Sequence, residues 1–365
     1  MNYQLLRRDA FREKLRASCE RYLNLSDENR LSIGIIKDGL IYVYGLNDNE
    51  DELRYDIGSV SKTMTAHVIL KLHSEGKLDI KHSVADYIPL RKGSYPTVYE
   101  LMTHTAGYGH LTPIELTLPR LIAHRYARKN PYENAVREDV IRCLERRNKK
   151  RKSYTYGYSD FAYAILAIIA ENVTHTPFAD ILEQFIKNDL ELPETSITLD
   201  GERVPPSVKS GHCIPFWRWK RDNPYIASGG VVSSLCDVMK YIKAELTSDE
   251  AYITMAHEIC PESFSEKSKT GSCTGWHTYK KSNQLWHVGG VGTFRSSLII
   301  NKVKGIGVAV LGNAKGVSSA NVHYIAKMLY SELKFKRIKL NNIYSGGIYE
   351  KENFKEEADR ASKES

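Results

Sequence analysis

The spacing of apolar and polar residues near the N-terminus predicts a helix followed by a β-hairpin. Residues 4–24 carry apolar side chains at helical intervals among charged ones, which is the pattern of an amphipathic helix. Two strand-like runs follow, LSIGIIK and LIYVYGL, and the dipeptide Asp38-Gly39 between them is typical of a tight hairpin turn. A second helix is predicted from about Ser59 to a capping glycine, Gly76.

The rest of the chain is first helical and then strand-rich. From about residue 80 to 230 the pattern is mainly helical with long loops, and the run YSDFAYAILAIIAENV is apolar on all sides, as expected of a deeply buried helix. A helix near residues 234–246 precedes four strand-like runs, GWHTYK, QLWHVGG, FRSSLIIN and GIGVAVLGN, and a last helix is predicted at about 317–333. This order predicts an α/β (α+β) fold, in which an antiparallel sheet is built from both chain ends, flanked by helices, and carries a mainly helical inserted domain.

These elements predict one domain over residues 1–333. Its sheet part is expected at about 1–79 and 231–333, and its helical part at about 80–230. Residues 334–365 become charged and lose periodicity, which predicts a loose C-terminal tail. We expect a functional cleft where the sheet and the helical part meet.

Composition narrows the classes of partner. The chain has 365 residues, of which 42% are hydrophobic and 26% charged, as in ordinary globular proteins. The formal charge of +8 is modest, and its densest cluster, RRNKKRK at residues 146–152, is interpreted as a solvated loop, so no nucleic-acid partner is expected. Six cysteines lie without metal-ligand spacing, which favours reduced thiols and no metal site.

Neither the N-terminal residues nor the longest apolar run indicates a membrane protein. The first residues are charged throughout and lack the apolar core of a signal peptide. The longest strongly apolar run, FAYAILAIIA, has ten residues and is too short to span a bilayer. We therefore expect a soluble, cytoplasmic protein with no membrane partner.

A serine and a lysine one helical turn apart, Ser59 and Lys62, are the first candidates for chemistry. The spacing Ser-x-x-Lys occurs twice more, at residues 74–77 and 331–334, and any one of these pairs is compatible with a capping serine and a solvated lysine. At a helix start, Ser59 would lie among free backbone N–H groups. Lys62 lies on the same face, and burial would lower the pKa of its ammonium and make it a possible base.

Two further segments carry candidate residues. In YGYSDFAY, Tyr158 and Asp160 come just before the most apolar helix, although Tyr158 alone could be structural among 23 tyrosines. In LWHVGGVGTFRSSLII, a strand ends at His287, and Gly289 and Gly290 would let a substrate approach the backbone closely. The alternative interpretation of this segment is a glycine-rich hairpin without a binding role.

Together these segments resemble the serine β-lactamase and penicillin-binding-protein superfamily, and most of all its class C β-lactamase branch with its esterases and D-amino-acid peptidases. The resemblance covers roughly residues 30–333. It is carried in order by YDIGSVSKTMTA, LHSEGKLDIKHSVADYIP, ELMTHTAGYG, YGYSDFAYAIL, ASGGVVSSLCDVMKYI and GIGVAVLGN.

The resemblance implies roles for the candidate residues. Ser59 would attack an acyl carbonyl and form an acyl-enzyme, with Lys62 and Tyr158 sharing the proton transfers as base and acid. The backbone N–H groups of Ser59 and Gly290 would form the oxyanion hole. The resemblance implies a small-molecule or peptide acyl substrate and neither metal nor organic cofactor. The substrate-binding residues that it implies are Asp160, His287, Gly289 and Asn313.

The chain departs from the family pattern at two positions. Asp160 stands where the family has asparagine, so a salt bridge to Lys62 or recognition of a substrate amine becomes possible. His287 stands where the family has lysine and is mostly neutral near pH 7 unless its surroundings raise its pKa. Histidine at this position fits the esterase and peptidase members of the family, and both changes weigh against an efficient β-lactamase.

Other assignments remain open at the level of sequence. The literal Lys269-Thr270-Gly271 is rejected as the third motif because it precedes a different strand. The leading hypothesis is a serine hydrolase acting on an ester or amide, such as a D-amino-acid peptide. The alternatives are an acyltransferase that uses the same acyl-enzyme, and a catalytically silent protein that binds a ligand on this scaffold.

Overall fold

The structure is a computed structural model. It describes the following residues: 10–25, 27, 29–46, 54–109, 130–147, 154–200, 216–266, 268–314 and 321–335. The predicted tail beyond residue 335 and most of the basic cluster, residues 148–152, lie outside these ranges.

The N-terminal hairpin forms as its sequence predicts. Strands β1 (Leu31–Lys37) and β2 (Leu40–Leu46) pair antiparallel from Leu31 opposite Leu46 to Lys37 opposite Leu40. The two turn residues, Asp38 and Gly39, both have positive φ, at 53° and 81°. A tight turn with two positive φ angles requires residues that tolerate the left-handed region, which explains the Asp-Gly pair.

A seven-stranded antiparallel sheet is the centre of the fold. Its strand order is β2-β1-β10-β9-β8-β7-β6, so the late strand β10 pairs with β1, from Gly312 opposite Leu31 to Ile306 opposite Lys37. This confirms the prediction of a sheet made from both ends of the chain. The remaining strands of this sheet are β6 (Thr270–Ser272), β7 (His277–Tyr279), β8 (Leu285–Val291), β9 (Phe294–Asn301) and β10 (Ile306–Gly312).

Helices cover both faces of this sheet. One face, with side chains such as Ile33, Val308 and Val310, packs against the N-terminal and C-terminal helices. The other face packs against the larger apolar core, which contains most of the remaining helices. The described α-helices are α1 (Ala10–Leu23), α2 (Ser61–Ser74), α3 (Val98–Met102), α4 (Arg137–Arg146), α5 (Asp160–Thr174), α6 (Phe178–Gln184), α7 (Ile226–Gly229), α8 (Leu235–Thr247), α9 (Ala251–Ala256) and α10 (Val322–Phe335).

A second, three-stranded sheet supports the segment that leads to Ser59. Its order is β3-β5-β4, with β3 (Arg54–Asp56), β4 (Ser196–Ile197) and β5 (Val231–Ser234). Strands of two to four residues carry too short a pattern to be recognised, and the sequence did not predict them. After β3, the Ile57 N–H donates to the Val231 carbonyl at 3.0 Å, which ties the approach to Ser59 to the central strand of this sheet.

The apolar helix α5 lies where its composition places it. Every residue from position 160 to position 170 is buried, which confirms the predicted deep burial. The helix begins at Asp160, and the side chain of Ser159 caps it by accepting a hydrogen bond from the Ala162 N–H at 3.1 Å. The cap and the apolar faces together fix the position of the segment that precedes this helix.

Candidate active site

Ser59 lies in a 3-10 turn (Gly58–Val60) that runs directly into α2. The sequence predicted the helix to begin at about Ser59, and the α-helix itself begins two residues later at Ser61. The Ser61 hydroxyl donates to the Gly58 carbonyl at 2.7 Å and accepts from the Val231 N–H at 3.1 Å. The turn is therefore held by its own chain and by β5, which gives Ser59 a defined position at the head of the helix.

Lys62 is completely buried, and its ammonium contacts three acceptors. Its Nζ lies 3.2 Å from the Ser59 hydroxyl, 2.6 Å from the Ser228 carbonyl oxygen and 2.6 Å from Oδ1 of Asp160. An ammonium group has three protons, so each proton has one acceptor. The predicted pair of Ser59 and Lys62 thus lies in contact, and Lys62 also binds the Asp160 carboxylate and a backbone carbonyl.

Burial determines the direction of the Lys62 pKa shift. Loss of solvent lowers the pKa of the Lys62 ammonium, and the charge and hydrogen bond of Asp160 offset only part of that effect, so the net pKa lies below its usual value. A buried lysine with a lowered pKa can lose its proton closer to neutral pH than a surface lysine can. This is the property that a general base requires.

Tyr158 is hydrogen-bonded to Ser59 and is held by a histidine. Burial raises the pKa of the Tyr158 hydroxyl well above its usual value, the charge of Asp160 adds to that rise, and the bond to Ser59 opposes it. His104 accepts from the Ser159 N–H at 3.2 Å, and its carbonyl accepts from the Gly157 N–H at 2.8 Å. His104 therefore holds the residues on both sides of Tyr158. The sequence did not indicate this function, although His104 lies in the family-like segment ELMTHTAGYG.

Asp160 forms the salt bridge that the sequence allowed. Its Oδ1 pairs with Lys62, and its Oδ2 accepts a hydrogen bond from the Tyr132 hydroxyl at 2.8 Å. The sequence interpretation missed Tyr132 and Ser228. Tyr132 belongs to a loop that carries no motif. Ser228 lies within the family-like segment ASGGVVSS, but it acts through its backbone carbonyl, which a sequence motif does not reveal.

Glycines allow strand β8 to pack closely against the turn that carries Ser59. A side chain at Gly289 would place its Cβ 1.9 Å from the Ile57 carbonyl oxygen, and Ser296 donates to the same oxygen at 2.7 Å. A Cβ on Gly58, whose φ is +53°, would lie 2.7 Å from the Gly290 nitrogen. Strand β8 and the turn that carries Ser59 therefore touch backbone to backbone, with the Gly290 nitrogen close to Gly58.

His287, on the same strand β8, is a fully buried, neutral side chain. Burial lowers the pKa of its imidazole well below the usual value, and the neighbouring His277 and Lys62 lower it further. Its Nδ1 lies 2.9 Å from the Val288 carbonyl, and among the described residues its Nε2 has no hydrogen-bond partner. Burial, together with Lys62, also lowers the pKa of His277 to about 3, and the two rings stack at 4.7 Å between centroids.

The structure does not bring Asn313 to this group. Its side chain is fully buried, and its Oδ1 accepts a hydrogen bond from the Arg30 N–H at 2.8 Å, beyond the end of β10. Strand β9 lies between β10 and the strand that carries Gly290. This hydrogen bond ties the end of β10 to the residue before β1, and the contact of Asn313 with substrate stays a prediction.

Two other segments that match the family motifs only by their letters lie away from the site. Lys269-Thr270-Gly271 leads into β6, which is the edge strand of the sheet, and β7 lies between it and β8. Ser74 lies at the exposed C-terminal end of α2, where its hydroxyl donates to the Lys71 carbonyl. Among the described residues, no group of histidine, cysteine and acidic side chains is arranged to hold a metal ion.

The antiparallel sheet, the helical part beside it and the grouping of Ser59, Lys62 and Tyr158 define the class of β-lactamase-fold serine hydrolases. The chain belongs to the β-lactamase family, because the family model described as "Beta-lactamase" matches residues 30–330. This confirms the family that the motifs indicated, and it identifies the chain as a member of a family of hydrolases.

Relatives and solved structures agree with this assignment. "Protein flp" of Staphylococcus aureus (strain MW2) is 23% identical over 326 residues, which cover 82% of this chain and 61% of the relative. The chain thus spans about three-fifths of the length of this curated relative. A class C beta lactamase from Rhodobacter sphaeroides shares the fold with a TM-score of 0.70 at 19% identity, covering 88% of this chain and 99% of the other.

A further solved structure is an octameric penicillin-binding protein homologue from Pyrococcus abyssi. Its superposition on this chain has a TM-score of 0.68 at 24% identity and covers 89% of this chain and 77% of the homologue. Separately, no helix in the described part of the chain is long and apolar enough to cross a membrane. The cytoplasmic location stays a prediction, which cell fractionation would test.

Proposed function

We propose that the protein is a serine hydrolase that works through an acyl-enzyme on Ser59, with an ester or an amide as substrate. The observation that carries this proposal is the 3.2 Å contact between the Ser59 hydroxyl and a fully buried Lys62 whose pKa is lowered. A serine hydroxyl is a weak nucleophile near neutral pH and needs a base within hydrogen-bond reach. Lys62 satisfies both the distance and the direction of the pKa shift.

Lys62 is the better candidate for the base in the first step. Burial moves the pKa of Lys62 down and that of Tyr158 up, so only the lysine approaches a state in which it can accept a proton near neutral pH. We assign to Tyr158 the role of a neutral phenol that holds the Ser59 oxygen and relays a proton: it gives its own proton to the leaving group and regains one from the Lys62 ammonium, which becomes neutral again. The Ser59 proton moves to Lys62 as Oγ attacks the carbonyl.

We infer that the backbone N–H groups of Ser59 and Gly290 stabilise the developing oxyanion. The Gly290 nitrogen lies close to Gly58, the residue before Ser59, and this proximity supports the inference. Donors that are fixed before the reaction begins stabilise the transition state more than the ground state. Only glycine fits at Gly289, so the close approach of the two segments depends on that residue.

For the substrate, we propose an uncharged acyl ester or an uncharged amide. The position at which the resembling family carries a lysine holds His287, whose buried ring is neutral, so it supplies no positive charge for a substrate carboxylate. Asp160 has one oxygen on Lys62 and the other on Tyr132, which does not favour recognition of a substrate amine. A small substrate without an obligatory carboxylate suits this site best.

The test is the intact-protein mass after incubation with a fluorophosphonate and, separately, with a penicillin and a p-nitrophenyl ester. We expect one adduct on Ser59 with the fluorophosphonate, turnover of the ester, and little turnover of the penicillin. Ser59→Ala should abolish both the adduct and the turnover. Ser74→Ala, which removes the serine of another Ser-x-x-Lys pair, serves as the matched control and should leave both unchanged.

Two outcomes would replace this proposal. A folded protein that forms no adduct with any reagent would favour a silent ligand-binding scaffold. An acyl-enzyme that yields mainly an amide or ester product when an amine or alcohol is added would favour the acyltransferase alternative.

A further inference from the structure

Tyr132 contacts the carboxylate oxygen of Asp160 that Lys62 does not. Its hydroxyl donates to Oδ2 at 2.8 Å, whereas the Lys62 ammonium lies 2.6 Å from Oδ1. Tyr132 is 5% exposed and Asp160 is 7% exposed, so the bond is shielded from water. The proposed reaction assigns no role to Tyr132, and the resemblance of motifs does not reach it.

The backbone around Tyr132 is fixed to the segment that also supports Lys62. The Tyr132 ring stacks on Tyr225 with 4.2 Å between centroids and 9° between planes. Asn223 donates its side-chain amide to the Tyr132 carbonyl at 2.7 Å and accepts from the Tyr225 N–H at 3.0 Å. Helix α7 begins at the next residue, Ile226, and contains Ser228, whose carbonyl accepts from Lys62.

We propose that Tyr132 is a positioning residue that fixes the Asp160 carboxylate in the orientation in which it pairs with Lys62. This inference rests on the proposed function, since it concerns the base of that reaction. A carboxylate with one oxygen on an ammonium and the other on a fixed hydroxyl cannot rotate without losing one contact. Tyr132 therefore acts through Asp160 and does not touch the reacting atoms.

The hydrogen bond also influences how tightly Lys62 holds its proton. A donor on Oδ2 draws negative charge away from Oδ1, so Asp160 attracts the Lys62 ammonium less strongly than an unbonded carboxylate would. Loss of the donor should make Lys62 harder to deprotonate. The other ionisable side chains that face Lys62 lie on three parts of the chain: Tyr158 before α5 and Tyr163 within it, His277 on β7, and His287 on β8.

The experiment measures the rate of fluorophosphonate labelling of Ser59 between pH 5 and 10 in the full chain. The labelling rate should rise with pH as Lys62 loses its proton. In Tyr132→Phe, which keeps the ring for stacking on Tyr225, we expect the midpoint of that rise to move up by about half a pH unit. An unchanged midpoint would overturn the inference.

Tyr163→Phe is the matched control. It also removes a buried hydroxyl near Lys62, but this hydroxyl donates to the Met102 carbonyl at 3.0 Å and not to Asp160. We expect its midpoint to equal that of the wild type, and an equal shift in both variants would contradict a specific role for Tyr132. On an Asp160→Asn background, Tyr132→Phe should cause no further shift, because no carboxylate charge remains to be held.

A second route covers the case in which Tyr132→Phe does not fold. Incorporation of 3-fluorotyrosine at position 132 keeps the side chain nearly unchanged and makes its hydroxyl a stronger donor, so the midpoint should move down. No movement, or movement upward, would overturn the inference. If the wild type forms no Ser59 adduct at any pH, the proposed function fails. If the wild type is labelled, but with the same midpoint as the variant, only the inference about Tyr132 fails.

Discussion

Helix α2 carries two buried acid–base groups that differ in what surrounds them. Near its start, Lys62 pairs with Asp160 beside the Ser59 hydroxyl. Farther along the helix, the His67 Nε2 lies 3.3 Å from a fully buried carboxylate, Glu245. One group has a nucleophile among its contacts, and the other contacts only structural side chains.

Two histidines face the two carboxylate oxygens of Glu245. Its second oxygen lies 2.7 Å from Nε2 of His257, and it is also hydrogen-bonded to Tyr241. Burial alone would raise the pKa of the Glu245 carboxyl, but His67, His257 and Tyr241 together outweigh it and the net pKa is lowered. This carboxylate joins α8 to α2 and to the residue after α9.

The comparison shows that a buried charge does not by itself identify an active site. At Lys62, a buried amine with a lowered pKa lies beside a serine hydroxyl whose proton it can accept. At Glu245, a buried carboxylate joins α8 to α2 and to the residue after α9. Measurement can separate the two roles, because one should appear in the rate of reaction and the other in the free energy of unfolding.

The largest effect is expected from Lys62→Met. Loss of the base should lower kcat/KM for a p-nitrophenyl ester by about 10³-fold, while circular dichroism shows a folded protein. Lys71→Met, on the same helix, removes a lysine that pairs with Asp189 near the surface and should leave kcat/KM unchanged. Comparable activity in Lys62→Met and the wild type would show that the lysine is not the base.

A stability effect is expected from Glu245→Gln. The amide removes the charge that His67 and His257 face, so the free energy of unfolding should fall by about 2 kcal/mol in urea titrations. The kcat/KM value per folded molecule should change less than about twofold. Glu75→Gln, at an exposed pair with Lys77, is the control and should change neither quantity. If Glu245→Gln lost activity without losing stability, the two groups on α2 would not differ in the way described.

The histidines near the two groups should differ in acid sensitivity. Burial, with Lys62 nearby, lowers the pKa of His277 to about 3, whereas Glu245 offsets part of the same burial effect at His67. A histidine whose pKa is lowered by folding takes up protons mainly in the unfolded state, so stability is lost as the pH falls below about 6.5. From pH 7 to pH 5, His277 should account for about 2 kcal/mol of the loss in unfolding free energy.

His277→Gln should therefore lose less stability between pH 7 and pH 5 than the wild type does, by about that amount. Urea titrations at the two pH values measure the difference. His82→Gln, at a histidine whose side chain is 59% exposed, is the control and should behave as the wild type. An equal loss in His277→Gln and the wild type would mean that His277 is not kept neutral by the fold.

Much of the fold could be predicted because its long elements have clear periods. The hairpin of β1 and β2, helix α5 and the strands β8 to β10 all form near their predicted positions. The short strands β3, β4 and β5 were missed, since two to four residues carry no readable period. The predicted start of α2 was two residues early, because Ser59 lies in a 3-10 turn that sequence does not distinguish from a helix.

The sequence predicted only those site residues that lie within recognisable motifs. Ser59, Lys62, Tyr158, Asp160 and Gly289 belong to segments that resemble a family, and the structure brings them together. Asn313 resembled a family residue too, but its described contact is with Arg30. Tyr132 and Asn223 lie in loops without a motif, so their contacts could be found only from the folded chain.

The sequence by itself determined the family, the order of the long strands and helices, and the glycines that a close backbone contact requires at β8. Only the tertiary structure decided which of three Ser-x-x-Lys pairs is buried, and that Lys62 meets a carbonyl 166 residues away. It also decided that Asp160 is held by Tyr132 as well as by Lys62. The physical reason is that a pKa depends on desolvation and on neighbouring charges, and both arise from residues that are distant in sequence.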